Sequence, residues 1–162
     1  MSRKNRIKKP GAFYHVIATI NRNEKLLVKR DIKKMFLDTI ARAKKKYAFK
    51  IKNFCLMDSH IHLLIQPEKT EDLSLIMQWI LSVFAVKFNT KLGIRGHLWY
   101  DRFKSRVIKD EEDFWAVYRY ISNNPVKAGM VVDPLDYEYG GIYHYVHGIT
   151  LIIDYFHWPG NI

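Results

Sequence analysis

The sequence predicts an α+β fold, an antiparallel sheet with helices packed on one face, formed by a single domain over residues 11–162. Three observations predict it. Runs rich in β-branched and aromatic residues alternate with amphipathic runs, in the order strand, helix, strand, strand, helix, strand, helix. The chain has 162 residues, 48% of them apolar or aromatic, which suffices to bury one core. No linker, internal repeat or low-complexity segment divides it.

Residues 1–10 form a basic arm ending at Pro10. Ala12–Ile20 reads as the first strand, and its lone His15 as a structural strand residue. Asn21-Arg22-Asn23 makes a turn. Asp31 is expected to cap a helix to about Tyr47, with Ile32, Phe36, Ile40 and Ala43 along one face and lysines at the negative end of its dipole. Phe49–Met57 and His60–Gln66 follow as a hairpin, closed by Pro67. Glu71 and Asp72 open a second helix to about Asn89, and Leu98–Ile108 reads as a strand or twisted hairpin. The acidic run Asp110–Asp113 begins a third helix, which Pro125 should stop near Asn124. An aromatic tail begins at Tyr137 and includes a last short strand at Leu151–Ile153; it is expected to cap its own sheet. This order is the ferredoxin-like split βαβ arrangement plus an added C-terminal helix.

The single cysteine, Cys55, excludes an internal disulfide and fits a reducing cytoplasm. No apolar segment follows the basic start, and no run of about 18 apolar residues is apparent, so a soluble cytoplasmic protein that spans no membrane is expected. The net charge is +11, from 27 Lys and Arg against 16 Asp and Glu, which points to a polyanionic partner, nucleic acid before a membrane surface. The charge is clustered: Arg3, Lys4, Arg6, Lys8 and Lys9 in the arm; Arg42, Lys44, Lys45, Lys46, Lys50 and Lys52; and Arg102, Lys104, Arg106 and Lys109. The third cluster is interleaved with Trp99, Tyr100 and Phe103. Arginines beside aromatics suit phosphate contacts next to stacked, unpaired bases.

Two stretches carry chemistry. In Leu56–Pro67, His60 and His62 are separated by one residue, so on a strand they share a face, about 7 Å apart at their Cα atoms. Two such imidazoles can converge on a divalent ion, although the pair alone would suit an ordinary strand equally well. In the third helix, Tyr120 and Asn124 are four residues apart, on one helical face. A tyrosine hydroxyl is a potential nucleophile and an amide oxygen a hard metal ligand. Tyr118 is the rival nucleophile, roughly 160° around the helix from Tyr120, so the two cannot both face the histidines.

At Met57–Ile65, Trp99–Ser105 and Tyr120–Val131 the sequence resembles the single-tyrosine HUH transposases, and more closely the REP-associated tyrosine transposases. The resemblance spans about residues 10 to 150, Asp136–Tyr139 included. It implies a ferredoxin-like fold and a DNA endonuclease and strand transferase dependent on magnesium or manganese. Such an enzyme would act on single-stranded or hairpin DNA through a 5′-phosphotyrosine intermediate. It maps the metal ligands to His60 and His62, with Asn124 at the polar third position, and the nucleophile to Tyr120. It also implies action as a monomer, whereas relatives from larger elements work as homodimers. Arg102, Lys104 and Arg106 are expected to hold phosphates, with Trp99, Tyr100 or Phe103 stacking bases and Arg3, Lys4 and Arg6 adding affinity. Two other readings share the fold: a non-catalytic hairpin- or single-strand-binding module, and a metal-dependent hydrolase in which Tyr120 has no role.

Overall fold

The computed structural model describes residues 5, 6 and 8–155. Its elements are β1 (Tyr14–Thr19), α1 (Arg30–Lys46), β2 (Phe49–Leu56), β3 (His60–Pro67), α2 (Leu73–Leu92), β4 (Lys104–Val107), α3 (Glu111–Lys127) and α4 (Gly141–Val146). The four strands form one antiparallel sheet in the order β2-β3-β1-β4. Since β3 lies between β1 and β2, the α1 crossover spans one strand, as the split βαβ order requires.

Period-two alternation divides the sheet's faces. Val16, Ala18, Ile20, Ile61, Leu63 and Ile65 point to one side, where they are buried with Phe36 and Ile40 of α1 and Ile76, Ile80 and Phe84 of α2. Cys55, Met57 and Leu64 belong to a second, smaller core with Phe114, Val117 and Ile121 of α3 and with Tyr137. The two crossover helices therefore cover one face and the added helix α3 the other. Between α3 and β4 the second face keeps a hollow bordered by His15, Arg106 and Tyr120, and His60 and His62 lie on the same face.

Helix α2 is more apolar than a reading by unbroken apolar runs suggests. Over an 18-residue window its mean hydropathy is 1.3, long and apolar enough to cross a membrane by length and composition alone. Here it is a core helix: Leu73, Ile76, Met77, Ile80, Leu81, Phe84 and Phe88 are buried. Asp72 caps it by accepting from Ser74 N–H at 2.7 Å.

Four expectations need correction. Asp31 does not cap α1: the N-cap is Lys29, and Asp31 lies in the first turn, where its carboxylate accepts from Ile32 N–H and faces Lys91 at 3.2 Å. Pro125 does not stop α3, which runs to Lys127. A proline in a helix forgoes one N–H and crowds the carbonyl four residues back, here that of Ile121, yet the buried Pro125 is accommodated in the last turn. The helix ends instead at Gly129, whose φ of 72° lets Met130 N–H reach the Pro125 carbonyl at 2.9 Å. Asn124 thus sits inside the helix rather than at a fraying end. Of Leu98–Ile108, only Lys104–Val107 is strand; Trp99 makes a single bridge to Ile20. Leu98 and Phe103 are buried in the core and Trp99 donates from Nε1 to Leu81 O at 3.0 Å, which draws the backbone off a regular ladder. Leu151–Ile153 likewise forms one bridge, Ile51 to Ile153, and no strand.

The tail covers its own sheet as far as it is described. Leu56 N–H donates to Tyr139 O at 3.0 Å, Tyr137 Oη to Leu56 O at 2.5 Å, and Asp154 N–H to Ile51 O at 2.9 Å, so the β2 edge does not face solvent as an open ladder. Asp154 also pairs with Lys44.

Candidate active site

His60 and His62 project from the central strand β3 toward the α3 side, His62 almost sealed at 2% exposure and His60 half-buried. The turn before them is pinned from below. Lys33, 4% exposed, donates to Leu27 O at 2.6 Å and to the Asp58 carboxylate at 2.8 Å, and Ser59 Oγ lies 3.2 Å from His60 Nδ1. Strand β1 pairs Ile17 with His62 and Thr19 with His60, so His15, Ile17 and Thr19 share the histidines' face. His15 is consequently part of the site: its Nε2 is 3.0 Å from His62 Nδ1, with ring centroids 5.3 Å apart and planes at 23°. This corrects the reading of His15 as merely structural. Its parity with Ile17 is visible in the sequence, but the β1–β3 register that brings it to His62 is not.

Helix α3 brings the remaining groups. The Tyr120 ring lies 5.7 Å from that of His62 and 5.9 Å from that of His15, both edge-on, and Tyr120 remains 46% exposed. One turn later Asn124 Nδ2 is 3.3 Å from His62 Nε2. Lys127 reaches back over the Tyr120 ring at 5.6 Å. Tyr118 faces elsewhere, packed on Trp115 at 5.4 Å and bordering a pocket with Tyr145 and Val146 of α4; burial pushes its phenol up to about 12. The helix register is set by Asn53, fully buried on β2, whose Nδ2 donates to Tyr118 O at 3.0 Å and Ser122 Oγ at 2.9 Å.

Burial dominates the electrostatics. It depresses His62 to about 3, helped by His60 and His15, and His15 to about 4, helped by Arg106; His60 is lowered for the same reason. All three imidazoles are therefore neutral at pH 7, which is the metal-ligating form. Among the described residues no group of three or more His, Cys, Asp or Glu side chains gathers at metal-ligand spacing. The donor set is instead two imidazoles and one amide, without charge of its own. That set suits a divalent ion whose charge is balanced by a substrate phosphate.

The expected DNA-binding residues divide. Lys104 and Arg106 of β4 pair with Ile17 and His15, which places them on the histidines' face. Arg106 is not a free cation, because it grips Asp113 through two bonds of 2.7 and 2.9 Å and holds that carboxyl down at about 2. Trp99 is half-buried and Phe103 belongs to the core, whereas Tyr100 is 70% exposed and Arg102 is exposed as well. Arg6 lies over the Phe103 ring at 3.6 Å and donates to Phe103 O at 2.5 Å. Arg6, Gln78, Ser82, Trp99, Tyr100 and Arg102 line a cleft of about 880 Å³. Gln78 and Ser82 belong to α2, so this cleft lies on the α2 side of the sheet, and Tyr100 N–H ties its wall to β1 by donating to the carbonyl of Thr19, the residue opposite His60. A second hollow of about 330 Å³ lies between His15, Arg106, Val117 and Tyr120. Arg3 and Lys4 lie outside the described residues.

The REP-associated tyrosine transposase of Escherichia coli K12 is 25% identical over 155 residues, 95% of this chain and 88% of that one. A Haemophilus influenzae relative is 25% identical over 163 residues, 94% of this chain and 90% of that one. In fold, the chain resembles a REP-associated tyrosine transposase solved bound to a REP hairpin, with a TM-score of 0.76 at 23% identity, covering 100% of this chain and 95% of that one. The model of the family described as "Transposase IS200 like" matches residues 8–124, most of the chain and both histidines, Tyr120 and Asn124 included. The protein therefore belongs to the IS200-like transposases, an enzyme family.

Proposed function

We propose that this transposase nicks and rejoins single-stranded DNA next to a hairpin, through a 5′-phosphotyrosine link to Tyr120 and with a divalent cofactor. The observation that carries the reading is the meeting of Tyr120 and Asn124, one helical turn apart, with His60 and His62 on the sheet face that also carries the exposed Lys104. His60, His62 and Asn124 would hold a magnesium or manganese ion, which when bound supplies Lewis-acid polarisation of the scissile phosphate. Tyr120 Oη attacks that phosphorus, the P–O3′ bond breaks, the phenolic proton passes to solvent and the departing 3′ oxygen takes one up. The link conserves the phosphodiester's bond energy, so a second 3′ hydroxyl can displace Tyr120 and rejoin the strand. Lys127 lies over the Tyr120 ring, where its ammonium adds positive charge beside the incoming phosphate. Arg102 and Lys104 hold backbone phosphates, with Tyr100 free to stack an unpaired base along the cleft. Arg106 acts through its bond to Asp113, orienting β4 against α3, more than as a phosphate ligand. The protein works as a monomer in the cytoplasm on this reading, consistent with its self-covered β2 edge and single thiol, Cys55, which burial pushes up to about 12.

The test is a denaturing gel of purified protein with labelled single-stranded DNA carrying a REP-type hairpin and manganese. A covalent protein–DNA band is expected from wild type and from Tyr118→Phe, and none from Tyr120→Phe or after chelation. A band that persists in Tyr120→Phe refutes the assignment. Tight hairpin binding with no band in any variant would leave a binding module.

A further inference from the structure

Once the site is assigned to His60, His62, Asn124 and Tyr120, one half-buried polar side chain beside it has no part in the chemistry. His15 comes from a different strand, yet its Nε2 approaches His62 Nδ1 at 3.0 Å. The other nitrogen of the same ring, His62 Nε2, is 3.3 Å from Asn124 Nδ2. With the Asn124 amide nitrogen toward His62, these two contacts define a chain of donors and acceptors. An amide NH₂ can only donate, so His62 Nε2 accepts and carries a lone pair. A neutral imidazole has one N–H, which must then sit on His62 Nδ1 and point at His15. His15 Nε2 therefore accepts, and the His15 proton lies on Nδ1.

We propose that His15 is a positioning residue, which by accepting the His62 Nδ1 proton holds His62 in the tautomer and orientation that present the Nε2 lone pair to Asn124 and the cleft. The inference rests on the reading of His62 as a metal ligand; its effect on the tautomer does not. Metal-bound histidines characteristically donate their second N–H to a fixed acceptor, and loss of that acceptor costs about tenfold to hundredfold in metal affinity. Carboxylates and backbone carbonyls are the usual acceptors. Here the ladder partner of His62, Ile17, offers only an apolar side chain, and His15 reaches across on the diagonal. The packing supports a fixed arrangement: the His15 ring is near-parallel to His62 and edge-on to Tyr120, so the three rings brace one another. An imidazole acceptor also adds no negative charge beneath a site that must admit a phosphodiester.

Two variants separate the acceptor from the ring. In His15→Gln the side-chain carbonyl can occupy the Nε2 position and accept; in His15→Phe the ring volume stays and the acceptor is lost. The first readout needs no metal. Long-range ¹H–¹⁵N spectra of the metal-free wild type should show His62 as the Nδ1–H tautomer, retained in His15→Gln and mixed with the Nε2–H form in His15→Phe. The second is manganese affinity by calorimetry, expected to fall about tenfold to hundredfold in His15→Phe and to stay within about threefold in His15→Gln. Hairpin affinity without metal should not change in either variant, which a general loss of structure would not allow. An Nε2–H tautomer of His62 in the wild type, or an unaltered His62 in a folded His15→Phe, overturns the proposal. Absence of manganese binding by the wild type would instead overturn the metal reading, while the tautomer measurement still decides the role of His15.

Discussion

Asn53 is the residue through which the sheet sets the position of the catalytic helix, and Asn53→Ala is the sharpest test of that claim. It is fully buried, and its side chain makes three hydrogen bonds: Nδ2 to Tyr118 O at 3.0 Å, Nδ2 to Ser122 Oγ at 2.9 Å, and Oδ1 from Phe54 N–H at 2.9 Å. Tyr120 and Asn124 flank Ser122 by two residues on each side, so these bonds fix the helical register that the site uses. Each buried bond contributes about 1 kcal/mol, and the Phe54 N–H left without that acceptor adds about 1 kcal/mol more, so the substitution should cost about 3–4 kcal/mol. For a domain of this size that is a fall in Tm of about 6–16 °C, within the stability such domains usually have. Ser122→Ala, which removes one bond, should cost about 1 kcal/mol. Thermal and urea unfolding would measure both. In the covalent-adduct assay, Asn53→Ala should slow formation of the tyrosine link well below the unfolding midpoint while hairpin affinity is maintained. A Tm within about 2 °C of wild type, or adduct formation at the wild-type rate, refutes the reasoning.

Other expectations follow from the same geometry. Asp58→Ala leaves the Lys33 ammonium, 4% exposed, with the Leu27 and Val28 carbonyls and the face of the Tyr139 ring but no counter-charge; it should cost about 2 kcal/mol, less than a fully buried pair because Asp58 is a quarter exposed, and urea unfolding would show it. Asp113, held at about 2 by the Arg106 guanidinium, contributes stability that is present above its ordinary value of 3.8 and is lost as pH falls through about 2. In Arg106→Ala its carboxyl ¹³C titration should move up toward 3.8, stopped short by the Lys109 N–H bond; an unmoved midpoint would show that the ion pair is not the cause. Arg102→Ala should lower the slope of log affinity against log salt for single-stranded DNA by about 0.7, one phosphate contact, and an unchanged slope would remove Arg102 from the interface.

The order of strands and helices, and the pairing of functional residues within one element, are legible in the amino-acid sequence. His60 with His62 on a strand and Tyr120 with Asn124 on a helix depend only on local periodicity, which the backbone imposes regardless of what packs nearby. Which groups meet across elements does not follow from periodicity. His15 reads as an ordinary strand residue because its nearness to His62 depends on the β1–β3 register, set by the long-range fit of two apolar faces. Arg106 reads as a free cation because nothing in a sequence pairs it with Asp113 seven residues on, across a turn into α3. Trp99 and Phe103 read as base-stacking aromatics, and tertiary packing assigns the first half-burial and the second the core, leaving Tyr100 outside. Pro125 reads as a stop, yet the buried face of α3 and the left-handed Gly129 outweigh one missing N–H. The sequence by itself determined the fold class and the residue pairs; the tertiary structure decided which pairs share a cleft, since contact between distant segments is settled by how whole faces pack.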